Sequence, residues 1–362
     1  MPLAKATRQH IDKVADSAAT LQLASEEAAR RLTAPVIARA SDKLVAGVAV
    51  MPLETRSQVM RAAARSIREA QVQLQQEFGA AVLEARSIAA HFASRQLALE
   101  AEPLGAEAAH ALALTPALPA SEVEAMWAQQ AGASMARRFG SLAIAETMAA
   151  HAKGRGGPGI LRALGRVHQR LEPERKLHAV TQSVGAFNEA KREGWNQLNK
   201  GLAKARPALP SGGSRAGRRA GGAGGDNGLR EVWSAILDAR TCPVCWKLDG
   251  HMVRPGESFP EDAKAPLHGH CRCTVITIHI PVELERYLPG AELDYDALKD
   301  DIKEYMGSRS FDVGTGVRHA QRYVDDVLKQ RGHSPVVLTE RVNNRRDYFP
   351  NIARPTAPSL RW

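Results

Sequence analysis

The sequence predicts a mainly α-helical protein that carries a small α+β module near residues 230–281. Three observations predict it. The first 150 residues are Ala-rich, with apolar side chains at three and four residue intervals. All four cysteines fall within 32 residues, among short runs of β-branched and aromatic residues. The run TVITIHI, residues 274–280, alternates in the manner of a strand. At about 100 to 200 residues per domain, 362 residues make two or three folded units, each able to bury a core.

Taken in order, Ile11, Val14, Ala18, Leu21, Ala24, Ala28 and Leu32 share one helical face and predict a helix over 3–32. Two helical runs follow at 54–78 and 80–100. Gly79 between them is the expected break, because glycine costs about 1 kcal/mol in a helix interior. Residues 112–119, with two prolines, form a connector. Ser121 is the expected N-cap of a helix running to about Ala150, with Glu122 and Glu124 complementing its dipole. The glycines of 153–159 punctuate the chain. A short basic helix over 160–171 is expected to end near Pro173, which lacks an amide donor. Leu177, Val180, Val184, Phe187, Ala190 and Trp195 then mark a helix over 174–202.

Residues 205–228 are nearly devoid of large apolar groups and predict a flexible basic linker. A short strand is expected from Leu229, a hairpin at 247–253 around Asp249-Gly250, and a strand at 274–280. Helices at 295–305 and 317–329, a strand at 335–339 and an extended arm over 341–362 complete the reading. The expected divisions are 1–152, 153–204, 205–228, 229–281 and 282–362.

The net charge of +10 has a location. Residues 151–230 hold 16 Lys and Arg against 5 Asp and Glu, and the rest of the chain is close to neutral. Arg206, Arg215, Arg218 and Arg219 are the candidate phosphate contacts. Such a segment neutralises duplex DNA without reading its bases. No run approaches the roughly 18 apolar residues that cross a bilayer, and the N-terminus lacks the apolar core of a signal peptide. A soluble chain made in a reducing cytoplasm is expected, where clustered cysteines serve as metal ligands or packing groups rather than disulfides.

The spacing C-x2-C, 22 residues, H-x2-C selects Cys242, Cys245, His268 and Cys271 as metal ligands, with Cys273 replacing His268 in a four-thiolate alternative and His270 adjacent. Zinc is the default ion, in a structural site, because thiolate and imidazole donors suit it. Cys271 and Cys273 are expected to point to opposite faces of a strand, against ligation by both. Buried packing thiols remain the alternative reading. The chain has no Gly-rich phosphate loop, H-E-x-x-H or G-x-S-x-G, so no catalytic residues are assigned and no enzyme is expected.

The runs LDARTCPVCWKLDGHMV and PLHGHCRCTVITI resemble the C-terminal signature of the phage Mu F-like minor head proteins, also called head morphogenesis proteins. The positions that carry the resemblance are Asp238, Arg240, Thr241, Cys245, Leu248, Asp249, Gly250, Pro266, His268, Cys271, Arg272 and Cys273. An upstream helix containing Ala186, Phe187, Asn188 and Arg192 is similar to the one that precedes the signature, so the resemblance spans 177–281. It implies a minor capsid component of the virion at or near the portal vertex, in contact with portal and capsid proteins as an oligomer around the portal. It also implies a role in head assembly and in holding or delivering the genome, without a required enzymatic activity. The N-terminal helices are then the portal or capsid contact. Residues 205–228 stand as an insertion where the family has a short connection. Locally, Asp238 and Arg240 lie two apart and can pair, Asp249-Gly250 sets a hairpin, and Arg272 pairs with Asp238 or reaches a phosphate. Two other functions fit the same residues: an effector-bearing head protein with its activity after Pro281, and a zinc-dependent DNA-binding protein outside any virion.

Overall fold

The computed structural model describes residues 5–50, 55–104, 122–205, 229–236, 241–255, 257–268, 271–279, 295–309 and 311–333. Its helices are α1 (Lys5–Ala49), α2 (Arg56–Glu100), α3 (Glu122–Ala152), α4 (Gly157–Leu164), α5 (Val167–Ala205), α6 (Pro243–Leu248), α7 (Tyr295–Ser308) and α8 (Val313–Gln330). The strands are β1 (Leu229–Ala235), β2 (Met252–Val253) and β3 (Cys273–His279). The mainly α class with a small sheet beside the cysteines is the class that the sequence predicts.

Two predicted breaks do not occur. Helix α2 runs through Gly79, because Phe78 and Val82 are fully buried on either side and a Cβ at 79 would stand 3.2 Å from the Ala128 carbonyl of α3. The missing side chain lets two backbones approach, and the packing offsets its helical cost. Helix α5 runs through Pro173, which faces solvent while Leu171 and Arg175 on either side are buried. The Arg175 guanidinium fixes that turn to α1 by donating to Thr33 Oγ1 (3.0 Å) and to the Arg30 carbonyl (3.1 Å). Helix α1 likewise continues past Leu32 and Pro35 to Ala49. At the start of α2, Thr55 and Gln58 form a capping box that satisfies two amide donors. The expected Ser121 cap, the 112–119 connector, the 335–339 strand and the 341–362 arm lie outside the described residues.

The sheet order is β2-β1-β3, all antiparallel, with Val232 opposite Met252 and Ile276, and Trp233 opposite Val275. Alternation gives it two buried faces. Val232, Ile276 and Ile278 pack on Ile11, Val14 and Ala18 of α1 and on Leu298, Ile302 and Met306 of α7. Trp233 and Cys273 face the other way, into a cluster with Cys245, Leu248, Val253 and Phe259. The predicted hairpin at 247–253 takes another form. Lys247 and Leu248 end α6, and Asp249-Gly250 turns the chain from that helix into β2. The reason is the Cys-Pro sequence upstream, which starts a helix where a strand was expected.

The C-terminal helices belong to the same cores. Ala320, Val324, Val327 and Leu328 of α8 pack with Ala24, Ala28, Phe92 and Phe187. Arg309 reaches Asp12 (2.7 Å) and Asp16 (2.5 Å) on α1, and Tyr305 donates to Asp12 (2.8 Å). No helix among the described residues is long and apolar enough to cross a membrane.

Candidate metal centre

The centre is assembled from two short segments. In TCPVC, Cys242 is the N-cap of α6 and Pro243 occupies its first turn, where a missing amide costs nothing. The Cys242 thiol accepts from the Cys245 amide (3.3 Å), which folds both sulfurs toward one side. The second segment follows the cis Ala265–Pro266 bond. There the Cys271 amide donates to the His268 carbonyl (3.1 Å), a bond that draws the backbones of the two residues together.

Together they place five donors in one small cavity. His268 Nε2 lies 3.0 Å from Cys242 Sγ and 3.3 Å from Cys245 Sγ, and Cys245 Sγ lies 3.8 Å from Cys271 Sγ. Two ligand groups share Cys245: Cys242, Cys245 and His268 at the exposed mouth, and Cys245, Cys271 and Cys273 in the buried interior. Metal–sulfur bonds of 2.3 Å in a tetrahedron put neighbouring sulfurs about 3.8 Å apart. The cluster could hold a metal ion by spacing and by donor chemistry. The expectation that Cys271 and Cys273 diverge is corrected here. Residues two apart on an extended chain share a face, so alternation keeps the pair together, and Cys271 and Cys273 stand in one ligand group with Cys245.

Electrostatics within the cluster favour the thiolate at Cys242 and Cys271 and the thiol at Cys245 and Cys273. The thiol of Cys245, then that of Cys273, donates to Cys271 and outweighs burial, holding Cys271 well below the ordinary thiol range. The donors pay the reverse shift. Cys245 is pushed up by its bond to Cys271, and Cys273 by its bonds to Cys245 and Cys271. Burial raises Cys242, but the Cys245 amide and thiol and His268 together hold it below its usual value. Deprotonated sulfur is the form that binds metal.

The signature residues around the cluster are fasteners. The Asp249 carboxylate accepts from the Ala235 amide (2.9 Å), and the Gly250 amide donates to the Trp233 carbonyl (2.9 Å), so the turn after α6 is pinned to β1. Thr241 donates its hydroxyl to the Ile236 carbonyl (2.5 Å). Arg272 is buried and lines the cavity. Trp233 meets Phe259 edge to face at 5.3 Å behind the cysteines. Asp238, Arg240 and His270 lie outside the described residues, as do Arg206, Arg215, Arg218 and Arg219.

Asn188, on the helix that resembles the one preceding the signature, and Lys191, which carried no expected role, tie this module to the helices. The Asn188 side chain on α5 donates to the Cys273 carbonyl (3.1 Å) and accepts from the Thr274 hydroxyl (2.7 Å). One turn on, Lys191 Nζ donates to the fully buried Glu100 of α2 and to the Val275 carbonyl, each at 2.5 Å. Glu100 also accepts from Trp195 Nε1 (2.8 Å) and Gln96 Nε2 (3.0 Å). The only sequence signal for Lys191 was its place four residues before an apolar-face Trp195. Its partner lies 91 residues away.

Residues 217–276 match the model of the family described as Phage Mu protein F like protein. The match begins inside the stretch expected to be an insertion, takes in Arg218 and Arg219, and ends in mid β3 without the Asn188 helix. No curated protein and no solved structure matches the chain. Every residue of the cysteine and histidine cluster lies within the matched segment, so the module built around the cluster is the part of the chain that is similar to the Phage Mu protein F like family.

Proposed function

We propose that this chain is a structural component of the phage head that acts at the portal vertex, and that its Mu F-like module is stapled by one zinc ion. Cys242, Cys245, His268 and Cys271 would hold it, with Cys273 as a neighbouring thiol that supports Cys271. Zinc would supply rigidity: it would link the turn of α6 to the segment before β3, adding metal–ligand bonds to the apolar packing that joins them. A four-donor set leaves no position for a reactive water, so we assign the centre no catalytic role.

The observation that carries the reading is the coincidence of the family match with five metal-grade donors in one cavity. The long N-terminal helices are the candidate contact with portal and capsid proteins. The basic stretch around Arg206, Arg215, Arg218 and Arg219 is the candidate contact with packaged duplex DNA, through phosphates and without sequence preference. The test is composition of particles. Heads produced with and without the portal protein, purified and analysed by mass spectrometry, should contain the chain only when the portal is present. Absence from portal-bearing heads contradicts a structural role, and equal amounts in heads without a portal contradict the vertex position.

A further inference from the structure

We infer that one end of the helical bundle is a second, folded site for the phosphate backbone of duplex nucleic acid, separate from the Arg206–Arg219 stretch. The inference rests on the head-protein reading, which puts DNA beside this chain. Arg61, Arg65 and Arg68 are exposed on α2 at i, i+4 and i+7, a stripe about 10 Å long at 1.5 Å per residue. None makes an ion pair among the described residues. Their sequence neighbourhood lies outside the basic region at 151–230.

The fold brings part of that region to the same end of the bundle. Gln71 of α2 donates to the Ala136 carbonyl of α3 (3.0 Å), and the two helices run antiparallel, so Arg61 is level with the last turns of α3. Leu44 and Val48 of α1, Val59 of α2, Ala150 of α3 and Ile160 of α4 share one apolar cluster at this end. The turn and helix that follow α3 carry exposed Lys153, Arg155, Arg162 and Arg166. Against these cations stand exposed Asp42 and Glu69, while Glu146 is already paired with Arg170. No Phe, Tyr or Trp side chain is exposed among the described residues, so stacking of bases on them is not on offer there. Guanidinium groups on the outer surfaces of helices fit backbone contact.

The experiment uses the full chain and a short mixed-sequence duplex, with affinity followed by fluorescence anisotropy across a salt series. Substituting Arg61, Arg65 and Arg68 together by Gln, a comparable helix former, should lower the slope of log affinity against log salt by about 2 to 3. A Lys153→Gln, Arg155→Gln, Arg162→Gln variant should act in the same direction, which guards against a fold defect in either one. Replacing Arg206, Arg215, Arg218 and Arg219 by Gln should leave residual binding that the α2 variant then removes. If the linker variant alone abolishes binding, or the two bundle variants bind like the parent, the folded site is wrong and the linker reading stands. If the parent binds no duplex, both fail. If the bundle variants keep DNA affinity but drop out of purified heads, the surface meets an acidic protein and the inference is overturned.

Discussion

A methyl group at position 250 has nowhere to go. Gly250 has φ +77°, and a Cβ there would stand 3.0 Å from the Lys303 Cα and from the Met306 Cβ of α7. Gly250→Ala therefore combines left-handed backbone strain with a displaced helix, and should cost about 1 to 3 kcal/mol in urea unfolding. A loss under about 0.5 kcal/mol, the size of an ordinary surface substitution, would mean that α7 does not seat on this turn. At this scale the sequence was readable where chemistry is local. The Cys-x2-Cys knuckle, His268 and the Asp249-Gly250 turn announce themselves by type and spacing. The pairing of Cys271 with Cys273 was equally legible, because residues two apart on an extended chain share a face.

Helix α5 shows how much one element can do outside the Cys and His signature. Its Asn188 holds the opening residues of β3 and its Lys191 joins α2 to the same strand. Removing one partner of a buried pair leaves an uncompensated charge, so Lys191→Met should destabilise by about 3 to 5 kcal/mol. Adding Glu100→Gln, which keeps an acceptor for Trp195 and removes the orphaned charge, should recover at least about half of that loss if the burial accounting holds. A single substitution as mild as the double, measured by the same denaturation, would contradict the assignment. Elements were legible from apolar spacing, and α3, α7, α8, β1 and β3 fall where that spacing puts them. Their ends were less legible because Gly79 and Pro173 are costly in isolated helices, whereas here buried neighbours on both sides hold the helix through them. Lys191 counted only as one more cation in a basic region. A contact across 91 residues leaves no local trace.

For the molecule as a whole, the segment after residue 281 is part of the core rather than an appendage. Leu298, Ile302, Met306, Val324, Val327 and Leu328 cover apolar side chains of α1 and α2. A chain ended at 281 should lose its cooperative thermal transition or become insoluble, and a truncated chain that melts like the parent would show instead that α7 and α8 are dispensable. The charge excess also changes meaning at this scale. Part of it sits on folded helices beside arginines from far earlier in the chain, so the excess along the sequence understates the basic surface of the bundle. What binds these parts into one account is the metal centre, since the family match, the two-faced sheet and the fasteners of α5 all converge on it. The most direct measurement is therefore the metal content of the full chain purified without chelator. We expect about one zinc per chain, falling to near zero in His268→Ala and Cys245→Ala while Cys273→Ala retains it. Less than about 0.2 zinc per chain in the parent, under conditions where structural zinc survives purification, would reduce the five donors to packing groups and contradict the account.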